Sequence, residues 1–456
     1  MNNNPMATET GLQKLKNKFT GKSNNVNEKD IGCVYTTLVG ISDGVNICAE
    51  ACACCWDVKI PDGYHERCEY IGKRTRTGHT SITEHSNLVF YINFSEAFLE
   101  DFATFMTWSR FLIVRFEKMS NGNYSGIIGS TFRGYREIFY NVDDVNNAVY
   151  KSIVGSLYQF APSAIFEDFF GTFLIKESFL NAEPDPSMVL TISDIADAET
   201  DRFRIVGMDN INTLMRNLMN IDPEFAKTLD THDIIYFVSV TILFKNMSRT
   251  GTHQLVRHRN GITQESQRYV DYSNAKFANP AVFKPGKYDT EHKYPIRFGP
   301  SGPMEMTLDE IGEAMINIYR ILSNPAVVGG NYALLKEDAR GFLPSNVECG
   351  KLYMTFTYEM LCAFFNLREA RGAQAEIRLY ATLIGNWFRE HTVFTTKDST
   401  DTYTMPKMLI TDPVKIDVDM GIEESEIEMT EDQYLEYINQ YENANTVSEE
   451  STDVEN

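Results

Sequence analysis

Apolar positions follow two rhythms along this chain. Residues 34–41 and 88–94 are runs of β-branched, aromatic and aliphatic side chains, the pattern of buried strands. Stretches 111–116, 232–245 and 352–356 read the same way. Apolar residues three and four apart predict helices over 45–56, 98–109, 145–160, 248–258, 308–322 and 358–368. Thr307, with Glu310 three residues on, gives the 308 helix a capping box. Residues 130–139 read as an amphipathic surface helix, and a last helix opens near Gly372. Gly and Asn at 120–126, acids at 194–201, and Pro and Gly at 279–303 mark loops. Strands and helices interleave, and the expected fold is α/β (α+β) with a mixed sheet flanked by helices.

Composition narrows the function. The chain has 456 residues, enough for two or three domains' worth of core, and is 43% hydrophobic, the content of an ordinary globular protein. Lys+Arg is 42 and Asp+Glu is 63, a net charge of −21, which argues against general binding to nucleic acid or an anionic membrane. No apolar run reaches the length of a membrane span, and the polar start lacks a signal peptide's apolar region, so the expected location is cytoplasmic. Residues 1–30 are polar and read as disordered. From Ile416 onward there are fourteen acids and no Lys or Arg, the composition of a solvated extension. Five of the eight cysteines crowd into 48–68 (Cys48, Cys52, Cys54, Cys55, Cys68). They are expected as buried, reduced thiols on a helix, with no metal.

The chemistry concentrates in 252–273. Gln254, Arg257 and His258 fall at i, i+3 and i+4, on one helical face. Arg259 and Arg268 then bracket a polar loop that carries Gln264, Glu265, Ser266 and Gln267. In so acidic a chain this cation cluster reads either as a site for a phosphate or carboxylate, which suits the guanidinium fork, or as a surface network paired with acids. Upstream, His79 and His85 flank Ser81 and Glu84 before the 88–94 strand. As a metal pair they are weak, and hydrogen-bonded structural histidines are the plainer reading.

As motifs these pieces resemble the flavin-dependent thymidylate synthases. The stretch Arg257-His258-Arg259 … Ser266-x-Arg268-Tyr269 is similar to the family's Arg-His-Arg … Ser-x-Arg-Tyr, with six residues between Arg259 and Ser266 where the family has seven. His79-x-Ser81-x-x-Glu84-His85 resembles its second motif. Glu337-x-Ala339-Arg340-x-x-Leu343-Pro344, Phe364-Phe365-x-Leu367-Arg368 and Ala373-Gln374-x-Glu376-Ile377-Arg378 resemble three more, in order. The chain has no Pro-Cys-His stretch, which counts against the cysteine-dependent type of thymidylate synthase.

The resemblance implies reductive methylation of dUMP to dTMP. Methylenetetrahydrofolate would give the carbon, FAD the hydride, and NADPH would re-reduce the flavin. It implies dUMP contacts at Gln254, Arg257, Gln264, Glu265, Ser266, Gln267, Arg268, Arg340 and Arg368, with Arg368 activating the uracil. It implies FAD contacts at His79, Ser81, Arg257, His258, Arg259 and Gln264. It also implies a homotetramer in which Arg340 and Arg368 come from another subunit, with no nucleic-acid or membrane partner. The expected organisation is a tail (1–30), a first core segment (31–94), a largely helical insertion (95–230), a second core segment (231–412) and an acidic tail (413–456). Three family positions for FAD have changed, to Thr357, Glu359 and Ala363, and the helical position filled in the family by Arg before the first Cys/Ser is Ala53. Arg133, in Thr131-Phe132-Arg133, is the candidate replacement for the lost arginine. The alternatives are a non-catalytic nucleotide-binding or assembly protein on the same fold, and a related enzyme that hydroxymethylates dUMP.

Overall fold

The computed structural model describes residues 34–160, 193–194, 198–259, 261–284, 287–297 and 302–391. The polar start and the acidic extension lie outside them.

The first half builds one antiparallel sheet. Strand β1 (Val34–Ile41) leads into helices α1 (Gly44–Trp56) and α2 (Tyr64–Arg76), a 3-10 turn (Thr80–Glu84) and strand β2 (Leu88–Phe94). Helix α3 (Leu99–Met106), strands β3 (Ile113–Lys118) and β4 (Tyr124–Ser130), and helices α4 (Phe132–Asn141) and α5 (Ala148–Phe160) follow. The strand order is β1-β2-β4-β3. Strand β2 lacks polar alternation because both its faces are covered. Leu88, Phe90, Ile92 and Phe94 join a core with Cys48, Cys52, Ile71, Phe132 and Ile153, whereas Val89 and Tyr91 point into a second core with Leu214, Leu218 and Phe225.

The second half wraps that other core around a five-stranded sheet. It comprises β5 (Ser193–Asp194), β6 (Phe203–Asp209), α6 (Ile211–Ile221), β7 (Ser239–Lys245), α7 (Arg249–Leu255) and β8 (Gly261–Gln264). A small hairpin, β9 (Tyr294–Ile296) and β10 (Met304–Met306), precedes α8 (Leu308–Leu322), β11 (Lys351–Thr357), α9 (Tyr358–Arg368) and α10 (Ala375–His391). The order is β5-β6-β7-β11-β8, and every recorded pairing is antiparallel. The α/β class therefore holds, with helices flanking sheets that are antiparallel in every recorded pairing and not mixed as expected. The stretch 95–230 is not helices alone: β3 and β4 complete the first sheet and β6 pairs with β7 in the second.

Several elements differ from the expectation. The strand expected over 232–245 begins only at Ser239, after a helical turn (Thr231–Ile234). Asp230 and Asp233 hold that turn by each accepting the other's backbone N–H, at 3.0 and 3.2 Å. Strand β4 occupies part of the stretch where glycines predict a turn. Gly126 lies where a Cβ would come within 2.6 Å of Phe116 Cβ, and Gly129 where one would come within 2.8 Å of Phe237, so both permit close packing inside a strand. The polar loop after Arg259 contains a strand, β8, because its backbone pairs with β11 over Gly261 to Gln264. The long loop 279–303 carries the β9 strand and a helical turn, Pro280–Phe283.

Candidate active site

The 248–258 stretch folds as expected into α7, tightening to a 3-10 turn over Val256–His258. Arg259 closes it in the left-handed region at φ 55°, which redirects the chain into β8. The start of α7 is held by the first turn of α10. Buried Glu376 accepts the Ser248 N–H at 2.6 Å and also the Ser248 hydroxyl, while Ser248 Oγ caps the Gly251 N–H at 3.0 Å. Burial raises the Glu376 carboxyl, and the two Ser248 bonds oppose that rise. Replacing Glu376 with alanine orphans both Ser248 donors and is expected to cost about 2–3 kcal/mol in urea unfolding. Glu376→Gln keeps one acceptor and should cost less; equal stability of all three proteins would contradict this role.

The far end of α7 is gripped from α9. Arg368, the last residue of α9, donates from Nε to His258 Nε2 at 3.0 Å. Its two terminal nitrogens donate to the Gln254 side-chain and backbone oxygens, both at 3.2 Å. Burial and then the Arg368 charge lower the His258 pKa to about 4, so the imidazole is neutral at pH 7 and accepts. Burial, then neighbouring Arg257, lowers Arg368, which stays cationic. The resemblance implies that Arg368 comes from another subunit; here it lies on Gln254 and His258 of its own chain. Arg257 and Arg259 are exposed, and among the described residues no carboxylate pairs with either.

A second group forms beyond β8. Arg268 Nε meets Glu337 Oε2 at 3.1 Å, and Arg340 Nε donates to the Glu337 carbonyl at 3.0 Å, again within one chain. The Arg268 pair is exposed and so worth little in stability. Ser266 is fixed by its N–H to the Cys55 carbonyl, and its Oγ accepts the Arg268 N–H. Gln264 ties its amide to Thr252 Oγ1 at 3.3 Å. Gln267 is buried against Cys349, and burial raises the half-buried Glu265 carboxyl. His79 meets Trp56 edge-on at 4.8 Å, and Trp56 stacks on Tyr269 at 6.0 Å, so His79 does reach the motif. Ser81 is exposed on its turn, and the described contacts do not bring it onto the motif arginines.

The plainer reading of His85 is what the structure displays. Its two ring nitrogens bond Thr355 and Thr263 hydroxyls at 2.9 and 2.8 Å, stitching β11 to β8. Arg133 is paired with Glu84, and with Glu137 at 3.8 Å, so its charge is already answered. Glu84 in turn lies against Gly261, where a Cβ would come within 2.8 Å of the Glu84 carbonyl. Thr357, at a changed FAD position, caps α9 through the Met360 N–H. Two residues draw no role from the sequence: Glu337 and Glu376. The signal is present, since each is an acid inside one of the matched motif pieces. Cys52 and Cys55 stand in the Cys-x-x-Cys spacing that zinc sites use, so spacing does not exclude a metal. They sit on α1, and burial raises both thiols, that of Cys52 to about 12. Among the described residues no group of three or more His, Cys, Asp or Glu is placed to hold a metal, and no helix is long and apolar enough to cross a membrane.

These features define an α/β protein with a partly buried cluster of Arg, His and Gln side chains beside one sheet. Residues 202–392 match the Thy1 family model, described as thymidylate synthase complementing protein; the match begins inside the stretch expected as an insertion. The chain is 32% identical over 157 residues to the flavin-dependent thymidylate synthase of Nitratidesulfovibrio vulgaris, covering 34% of this chain and 58% of that protein. It is 28% identical over 209 residues to that of Geobacter sulfurreducens, covering 45% and 79%. The chain thus spans little more than half of the first relative and about four fifths of the second. A flavin-dependent thymidylate synthase from Helicobacter pylori, solved with FAD and dUMP, aligns at 15% identity over 38% of this chain and 76% of that one, with a TM-score of 0.23. Over this region the chain is similar to the flavin-dependent thymidylate synthases.

Proposed function

We propose that this protein is a flavin-dependent dTMP synthase, which methylates dUMP reductively with methylenetetrahydrofolate, FAD and NADPH. The observation that carries the reading is the Arg368 fork, aimed by Gln254 and a neutral His258 from the Arg-His-Arg motif itself. A guanidinium so fixed favours the electron-rich, enolate-like uracil through its remaining donors. Gln254, Arg257, Ser266, Gln267 and Arg268 would hold the phosphate and sugar, with Gln264 and Glu265 beside them and Arg340 completing the rim.

The residues present fit FAD. Arg257 and Arg259 are exposed cations without an acid partner among the described residues, beside neutral His258, with Gln264 and His79 nearby and Ser81 on the adjoining turn. When bound, the flavin supplies the hydride. The protein's own part is to bind, orient and exclude water. Arg340 and Arg368 would then serve their own chain's site, while exposed Val327, Tyr332 and Leu335 after α8 offer a face for a second copy in a homotetramer.

Purified protein is expected to carry a visible flavin absorption band that shifts on adding dUMP, at the native mass of a tetramer. Glu359, an acid where the family has arginine, and Thr357, spent on capping α9, favour the second reading, a nucleotide-binding protein without catalysis. A colourless protein that takes up no added FAD, with or without dUMP, would establish that reading in place of the first.

A further inference from the structure

We propose that the last turn of α2 is a carboxylate site for the glutamate tail of the aromatic carbon donor. The proposal rests on the synthase reading for the donor's identity and adds a subsite to it.

The last turn of α2 carries Lys73, Arg74 and Arg76 in an otherwise acidic chain. Cations at a helix C-terminus suit the helix dipole, and that alone accounts for exposed Lys73 and Arg76. It does not account for Arg74. The Arg74 guanidinium carbon lies 4.3 Å above the Trp56 ring centre and 5.4 Å above that of Tyr70. An arginine stacked on an aromatic face keeps its in-plane N–H donors for a ligand. Here those donors lack a strong acceptor. The buried Arg74 Nε is without a hydrogen-bond partner, and among the described residues no carboxylate pairs with Arg74 or Lys73. The guanidinium meets the neutral Tyr70 hydroxyl, itself beside the Cys52 thiol, and neither offers an anionic acceptor. A buried guanidinium donor is costly unless an acceptor meets it.

The position identifies the acceptor. Trp56, under Arg74, also meets His79 edge-on and stacks on Tyr269, which lies next to Arg268 in the motif. The His79 backbone N–H donates to the Arg74 carbonyl at 3.1 Å, so the two move together. A ligand with its aromatic ring at the His79–Tyr269 end and a chain of carboxylates beyond would place the first carboxylate on Arg74 and later ones on Lys73. A folate has that form: a pterin, an aminobenzoyl ring and one or more glutamates. A bare phosphate or nucleotide lacks the ring–carboxylate spacing.

The test uses the full chain and needs no turnover. Quenching of Trp56 fluorescence is titrated with pteroate, which has no glutamate, with folate, which has one, and with a folate carrying several. Trp56→Phe assigns the signal against Trp108 and Trp387. Affinity is expected to rise with each glutamate. Arg74→Gln should weaken folate about tenfold or more and leave pteroate unchanged, and Arg74→Lys should recover part of the loss. Lys73→Gln, at an exposed position that does not threaten folding, should weaken only the longer-tailed folate. Affinity independent of tail length, or an equal loss for pteroate and folate in Arg74→Gln, would overturn the proposal. Tail-dependent quenching by a protein that takes no flavin would uphold this subsite and sink the synthase reading; dTMP synthesis with tail-independent quenching would do the reverse.

Discussion

Arg368→Ala is expected to lower dTMP formation about a hundredfold or more, because the lost contact is to charge that develops on the uracil. The loss should fall on the chemical step, with dUMP still bound through Arg257, Ser266 and Arg268. Folding should suffer little. Arg368 is half-buried and ties only the end of α7, so about 1 kcal/mol is the expected change in unfolding free energy. Arg368→Lys should not restore the rate. Three of its nitrogens are engaged at once, one on His258 and two on Gln254, and an ammonium at the end of a flexible stem cannot copy that fork. His258→Ala should reproduce part of the defect by freeing Nε. Single-turnover rates with preloaded dUMP separate binding from chemistry. A variant that loses stability in proportion to its rate, yet turns over normally per folded molecule, would make Arg368 a helix-end tie and no more.

Much of this site can be read from order and spacing, and the physical reason is locality. Gln254, Arg257 and His258 lie on one short helical stretch, so spacing alone puts them together. Strands β1 and β2 and helix α8 with its Thr307–Glu310 box are visible because their patterns are complete within the element. What fails depends on partners far along the chain. Strand β8 is polar and only four residues long, and it exists because β11, some ninety residues later, pairs with it. Strand β4 hides behind glycines required by Phe116 and Phe237. Glu376 looks like any first-turn acid until Ser248 is placed above it, 128 residues earlier. The Arg74–Trp56 stack joins two helices whose sequences carry no shared signature. Arg133 fails differently. A three-residue echo of a motif suggests an anion contact, but the charge is met by Glu84.

His85 is expected to give the protein a sharp loss of stability in acid. It is 1% exposed, and burial lowers its pKa from 6.5 to about 3. Its partners are hydroxyls, not acids, and Thr355 also bonds Thr241 at 2.6 Å, so the imidazole is held neutral between β8 and β11. The sign follows from proton counts. Between pH 6.5 and about 3 the unfolded chain binds a proton at this histidine and the folded chain does not, so stability rises with pH across that window. The contribution is complete above pH 6.5 and lost as pH falls towards the folded pKa. At ~1.4 kcal/mol for each pH unit of that window it amounts to about 4–5 kcal/mol in full, with more than half gone by pH 4.5. Carboxylates also titrate in this range, so the comparison is with His85→Gln, which keeps an amide between the two threonines and removes the proton site. That variant should be less stable at pH 7 and show a shallower fall in unfolding free energy from pH 7 to 4.5. Because the folded protein keeps this imidazole neutral across the same window, dUMP affinity per folded molecule should not track His85 there and should have the same pH dependence in the wild type and the variant. Parallel stability–pH profiles for the two proteins would mean that acid reaches the fold through other groups.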